Sequence, residues 1–359
     1  MSEPPPTTNS AMYQTMHRQP ADLTATLERN WEPAQSAARL IGDRARVWLV
    51  GIGTSYHAAL VGEWLLRGAG LDARAVNSLD FAAYPDSYPL RGDEAVIVLA
   101  HTGTKSFSSL ALQRATSAGA TVLSVGSLTA EHPGSQLVLR TIERERSAAY
   151  TSSHTNAMLT LAQVAVEVAS LKGTGKDSAW RSALNTMPSQ VEAVLGRQEE
   201  VRSVAVSAAQ SRIYVTGAGP NGATALEAVI KAREAAIADI DALPLEQFLH
   251  GPIVSVNEGD AAVVVNVKGA NDAVARRTGE IAGVLHRIGA RIWLIGQGVA
   301  EAPNATVFEL PLVPEEISPI LAVVPLQMFA YELAVARKAN PDRFRRDDPK
   351  YANALSIQL

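Results

Sequence analysis

The stretch Val47-Trp-Leu-Val-Gly-Ile-Gly-Thr-Ser55 decides the fold. Val47 to Val50 are consecutive apolar residues, the pattern of a strand buried on both faces, as a parallel sheet covered by helices requires. Gly51-Ile-Gly53 stops the strand, and helical spacing follows from about Tyr56 to Ala69. Working outward, Ala73–Val76 and Ala95–Leu99 read as further short strands. His101-Thr-Gly-Thr-Lys105 then opens a helix to Ala118, and Thr121–Val125 is the next strand. Short apolar strands alternating with helices predict parallel βαβ units. On the amino-terminal side, Met12 to Arg44 places Leu23, Leu27, Trp31 and Leu40 at helical spacing.

The pattern recurs later in the chain. Arg212-Ile-Tyr-Val215 is a strand ending in Thr216-Gly-Ala-Gly219, with a helix to about Ala236. Ala262-Val-Val-Val-Asn266 and Arg291-Ile-Trp-Leu-Ile295 are further strands. Ala157 to Leu195 reads as a mostly helical linker, broken at Lys172-Gly-Thr-Gly-Lys-Asp177. The expectation is an α/β protein of two domains related by structural duplication, each a parallel sheet flanked by helices on both faces. The boundaries follow: a disordered tail over 1–11, a first domain with its amino-terminal helix over 12–185, and a second domain with the carboxyl-terminal tail over 186–359.

Composition narrows the function classes. The 359 residues are 47% hydrophobic but only 5% aromatic, so the cores are built from Ala, Val, Leu and Ile. The formal charge of -4 argues against a general nucleic-acid binder. With no cysteine, disulfides, thiolate chemistry and Cys-ligated zinc are excluded. The start, MSEPPPTTNS, is Pro/Ser/Thr-rich and carries no apolar core, unlike a signal peptide. Apolar runs such as Ile320–Val324 are too short to span a bilayer. A cytoplasmic protein without membrane or nucleic-acid partners is expected.

Five segments carry chemistry. Gly51-Ile-Gly-Thr-Ser55 brings Gly53, Thr54 and Ser55 to a helix start, where backbone amides and hydroxyls face an anion. Taken alone it reads equally as a plain turn with a serine cap. His101-Thr-Gly-Thr-Lys105 also follows a strand, and ligands of open parallel sheets sit at carboxyl ends of strands. His101, Thr102, Thr104 and Lys105 are therefore binding candidates, Lys105 as a point charge or as a solvated first-turn lysine. Tyr150-Thr-Ser-Ser-His-Thr-Asn156 is all hydrogen-bonding and puts Ser152 and Ser153 either in a sugar pocket or at a helix cap. Glu227, Lys231 and Glu234 fall at i, i+4 and i+7 on one helical face. On spacing alone that is a salt-bridged exposed face, and functionally a general base, Glu234, with Lys231 to tune it. His250, held before Gly251-Pro252, is either structural or a proton carrier. Gly217-Ala-Gly-Pro-Asn-Gly222 fits GxGxxG formally, but a lone match reads better as a tight turn than as a dinucleotide site.

Together these segments resemble the sugar isomerase (SIS) superfamily in its double-domain form, above all the isomerase half of the glucosamine-fructose-6-phosphate aminotransferases. Met12 to Pro20 is similar to that half's opening helix with its EQP step, and Val50 to Gly62 to its strand-GTSY-helix. Ala225 to Glu234 resembles its ALEGALKLKE helix, Leu249-His-Gly-Pro252 its KHGP turn, and Ser318 to Tyr331 its closing helix. The resemblance implies two SIS-type domains. Ser55 and the loop around Thr102 and Lys105 would hold a sugar phosphate, and Glu234 would shuttle the C1–C2 proton with Glu227 and Lys231 in support. His250 would serve ring opening in the neighbouring subunit's site, which implies a homodimer with shared active sites. No metal or cofactor is called for.

Departures qualify the likeness. The family's SxSGxT loop reads Ala100-His-Thr-Gly-Thr-Lys105 here, Thr151-Ser-Ser-His-Thr155 is closer to the TSSFT of isomerase and deaminase relatives, and Leu355 replaces a lysine of the family's tail. No glutaminase segment is recognised, and no cysteine is present to serve one. The expected activity is a phosphosugar aldose–ketose isomerase or amino-sugar-phosphate deaminase acting on a hexose or hexosamine 6-phosphate. The alternatives are a catalytically inactive sugar-phosphate sensor and a synthase subunit fed ammonia by a separate glutaminase.

Overall fold

The computed structural model describes residues 9–103, 105–267, 272–298 and 304–356. They divide into two compact units, one formed by residues 18–146 and 150–189, the other by 9–17, 147–149 and 190–356. Helix α1 (Ala11–Ile41) divides between them after His17.

In the unit of residues 18–189 the order is β1 (Val47–Gly51), α2 (Thr54–Gly68), β2 (Ala73–Asn77), α3 (Ser78–Ala83), β3 (Ala95–Leu99), α4 (Ser106–Ser117), β4 (Thr121–Gly126) and β5 (Leu137–Arg140). Helices α5 (Ser152–Lys172) and α6 (Asp177–Leu195) follow. The sheet is parallel throughout, in the order β2-β1-β3-β4-β5. β1 and β3 are buried at every residue because both their faces are covered. Trp48, Val50, Val96 and Val98 point to one side, into a core with Phe81 of α3 and Leu112 of α4. Leu49 points to the other, towards α2 and α5. Each fully buried Val, Leu or Ile contributes about 1.5–3 kcal/mol, and that is what holds these two layers to the sheet. The register sets Val50 beside Val98 and Leu99 beside Val125. The chain therefore leaves β1, β3 and β4 at one common edge.

The other unit repeats the arrangement with its own residues. After α7 (Gln198–Ala208) come β6 (Ile213–Gly217), α8 (Asn221–Ala236), β7 (Ile240–Pro244), α9 (Leu245–Leu249), β8 (Ala261–Asn266), α10 (Asp272–Ile288), β9 (Arg291–Gly296) and β10 (Ala305–Glu309). Helices α11 (Pro319–Ala336) and α12 (Pro349–Ala354) close it. The sheet order β7-β6-β8-β9-β10 is that of the first sheet, again all parallel. One face packs on α9 and α10 through Tyr214, Phe248, Val264 and Leu285. On the other side α11 packs against α8 and α7.

Two sequence expectations change here. Residues 157–195 are not a linker: α5 is buried along most of its length and packs on α2, where a Cβ on Gly62 would stand 2.8 Å from Leu161. The stretch is mostly helical as expected, in α5 and α6, and the break falls at Gly173, whose left-handed backbone ends α5. The apolar stretch around Ile320–Val324 is also longer than it was read. Helix Pro319–Ala336 is long and apolar enough to cross a membrane, yet 89% of it is buried inside the protein. It is apolar all round because it is enclosed all round.

Candidate functional site

The turn after β1 is shaped by its glycines. A Cβ on Gly51 would lie 2.6 Å from the Ser55 backbone, so only glycine lets the chain fold back this tightly. Gly53 has φ +55°, a conformation that disfavours other residues, and it caps α2 without any side-chain cap bond. The amides of Ser55, Tyr56 and His57 already donate to the carbonyls of Ile52 and Gly53, so a ligand at this turn meets chiefly the Thr54 and Ser55 side chains, which line the cleft. Gly51→Ala is expected to cost about 1–3 kcal/mol, the usual cost of overpacking. Urea denaturation of the variant would show it, and an unchanged midpoint would mean that the turn opens freely.

Three further walls meet this turn. Thr54, Ser55, His101, Tyr150, Ser153 and His154 line a cleft at the carboxyl ends of β1, β3 and β4. Its enclosed part is about 20 Å³, on the order of one water molecule, so a larger ligand would project through the open mouth. His101 Nε2 accepts from the Glu145 backbone N–H at 3.1 Å, and its ring meets Tyr150 edge-on. Burial, with a smaller contribution from Arg144, pulls its pKa to about 4. The ring is therefore neutral at pH 7 and carries its proton on Nδ1.

Glu145 organises the wall at the start of α5. Its carboxylate accepts from Thr151 N at 2.7 Å, Thr151 Oγ1 at 3.0 Å and Ser153 N at 2.8 Å. Burial raises its pKa above the usual carboxylate range, and these hydrogen bonds oppose that rise.

In the other unit the spacing on α8 becomes a cluster. Lys231 Nζ lies 2.5 Å from Glu234 Oε2 and 3.6 Å from Glu227 Oε1. Lys231 and Glu227 are 1% and 0% exposed, and Glu234 is 30% exposed. This is not a solvated face: a buried ammonium joins two carboxylates, of which one opens to solvent. His250 ends α9, is 66% exposed, and sits 3.0 Å from Glu246 Oε1. The hydrogen bond from His250, then the charge of Arg277 at 2.7 Å, holds the Glu246 carboxyl below its usual range.

The sequence-derived candidates thus sort themselves. Thr54, Ser55, His101 and Ser153 come together, and Gly53 shapes their turn. Thr102 is half-buried in the same loop. Lys105 is exposed and outside the cleft lining, and its backbone joins Ser108 at the start of α4. Ser152 turns inward, fully buried, and donates to Asp22 Oδ2 at 2.6 Å. Thr104 lies outside the described residues. Glu227, Lys231 and Glu234 meet as expected. The formal GxGxxG turn is tied down by its own neighbours, Asn221 donating to Ser318 Oγ at 2.9 Å and Thr224 to Asn221 at 3.0 Å.

Glu145 was missed. Its one signal is an acidic residue just ahead of a Ser/Thr-rich helix start. Among the described residues no group of three or more His, Asp or Glu could hold a metal ion. A larger hollow, about 230 Å³, lies at the amino ends of β8 and β9, where Trp293, Phe329 and Ala262 are among its lining residues. Ser203, Ser207 and Arg291 also line it, but none of the site candidates singled out in the sequence does, and size alone does not make it the better site.

No family model matches the chain. It is 29% identical over 340 residues to the glutamine–fructose-6-phosphate aminotransferase (isomerizing) of Pyrococcus horikoshii, covering 93% of this chain and 56% of that protein. The chain thus spans little more than half the length of that curated relative. The solved C-terminal domain of glucosamine-fructose-6-phosphate aminotransferase from Francisella tularensis matches with TM-score 0.83 at 18% identity, over 93% of this chain and 98% of that one. Glucosamine-6-phosphate deaminase from Thermotoga maritima matches with TM-score 0.74 at 18% identity, over 93% and 97%. In sequence and in fold, over nearly all its length, the chain resembles the double-domain sugar isomerases of the SIS superfamily.

Proposed function

We propose that the chain acts on a hexose or hexosamine 6-phosphate and moves a proton between C1 and C2, as an aldose–ketose isomerase or an amino-sugar-phosphate deaminase. The observation that carries this reading is the Glu234 carboxylate, open to solvent on one side and 2.5 Å from a Lys231 that is itself buried. A merely solvated ion pair leaves its lysine in water. Here the ammonium is fixed, and it stabilises negative charge on the one carboxylate of the cluster that a ligand can reach. Glu234 takes the proton from one carbon and returns it to the next, through an enediol in the isomerase or an enolamine in the deaminase. Thr54 and Ser55, at the start of α2, hold the phosphate. The reading includes a cytoplasmic homodimer in which the exposed His250 serves ring opening for the neighbouring subunit. The names of the relatives, an isomerizing aminotransferase and a deaminase of sugar phosphates, support it.

Phosphate is the anchor in this scheme, and thermal melts test it. Glucosamine 6-phosphate at a hundred times its dissociation constant adds about 2.7 kcal/mol, which raises Tm by roughly several degrees. Glucosamine itself is expected to add nothing. Equal stabilisation by both removes the phosphate seat from the scheme. One observation favours a second reading, that of a sensor: Leu355, 43% exposed just after the last helix, stands where the family resemblance expects a lysine. Binding without proton exchange into deuterated water would select it.

A further inference from the structure

We infer that Glu145 is the positioning residue of the sugar-phosphate cleft, an inference that rests on the function proposed above. Its carboxylate is buried and receives three donors, two from Thr151, the residue before the 21-residue helix α5, and one from Ser153 in that helix's first turn. Its own backbone N–H holds His101 Nε2. One residue therefore ties the loop after β3 to the start of α5, two of the walls that meet in the cleft. Ser153 and His101 line that cleft themselves.

Two chemical consequences follow. The Thr151 and Ser153 amides already donate to the Glu145 carboxylate, so this helix start meets the ligand with side chains, those of Tyr150, Ser153 and His154. Such a wall reads hydroxyl groups and leaves the ligand's phosphate to the turn of Gly53, Thr54 and Ser55. Second, the bond to His101 Nε2 fixes the tautomer with the proton on Nδ1 and makes His101 a hydrogen-bond donor from that nitrogen.

The experiment compares Glu145→Gln with Glu94→Gln. Glu94 is a second buried carboxylate of the same unit, bonded to Trp48 Nε1 at 3.0 Å beside the amino end of β3. Both substitutions leave the side-chain shape and remove the charge. Calorimetric titration with glucosamine 6-phosphate and nitrogen-15 spectra of the His101 ring are recorded on each. Glu145→Gln is expected to weaken binding roughly tenfold or more, the scale of a lost charge-assisted hydrogen bond; because its side chain then no longer pins the segment whose backbone N–H meets His101 Nε2, a single His101 tautomer is expected to become a mixture. Glu94→Gln is expected to lower Tm alone. If Glu145→Gln does not fold, Thr151→Val decides, because it removes one donor to the carboxylate and leaves both amides; a several-fold loss of affinity is expected. Wild-type affinity and an unchanged His101 spectrum in either cleft variant overturn the inference. Failure of the wild-type protein to bind glucosamine 6-phosphate removes the functional reading, and this inference with it.

Discussion

Glu234→Gln is expected to stop C1–C2 proton exchange while leaving the sugar phosphate bound. Glutamine keeps the shape of the side chain and can still accept a hydrogen bond from Lys231, now 2.5 Å from the carboxylate it replaces. It cannot take a proton from carbon. Loss of a general base costs about 10²–10⁴-fold in rate. Exchange of the substrate's C1 or C2 proton with deuterated water, followed by NMR, reads that step without requiring a committed product. Binding is measured separately by the shift in Tm. Glu227→Gln is the control, because Glu227 is buried and 3.6 Å from the same ammonium. It is expected to change stability more than exchange. Exchange at the wild-type rate in Glu234→Gln would make the α8 cluster a structural ion network. Sugar-phosphate binding that survived alongside it would then favour the sensor.

What the sequence disclosed follows from how each segment is buried. Strands β1, β3, β4, β6, β8 and β9 are covered on both faces, and each shows as an apolar run that needs no partner to be recognised. β5, β7 and β10 are edge strands of their sheets with partly or fully exposed side chains, as in the half-buried Asp241 of β7 and the exposed Thr306 of β10. β7 and β10 carry no long apolar run and β5 only the three residues Leu137-Val-Leu139, and none of the three is legible as a strand. The same logic divides the site. Glycine spacing after β1 is a local property, so the turn and its hydroxyls were legible. The i, i+4, i+7 spacing on α8 was legible too, but spacing cannot tell a solvated face from a buried one. That depends on α11, which comes about ninety residues later in the chain and packs across α8. Glu145 is the opposite case. Its neighbours in sequence are charged, Glu143, Arg144 and Arg146, and read as a solvated run. Only the folding of residues 145–153 back onto each other turns one of these acids inward.

Lys231→Met is expected to be the most destabilising of the substitutions considered. Methionine matches the lysine stem in length and leaves no large void. What it removes is the positive charge between Glu227 and Glu234. Glu227 is 0% exposed and cannot turn to water, so its charge stays in a medium where an uncompensated ion is costly. Breaking a buried pair by deleting one partner costs about 3–5 kcal/mol, to be read from urea denaturation monitored by circular dichroism. Glu234, 30% exposed, can relax towards solvent and contributes less to that loss. The double substitution Glu227→Gln with Lys231→Met therefore separates the causes. It removes both buried charges, and much of the lost stability should return, because a neutral buried pair avoids the ionic desolvation. If the single Lys231→Met change costs less than about 1 kcal/mol, the range of exposed ion pairs, then water reaches the cluster. Glu234 would then have no fixed ammonium beside it, and the case for it as the proton-transfer base would lose its physical ground.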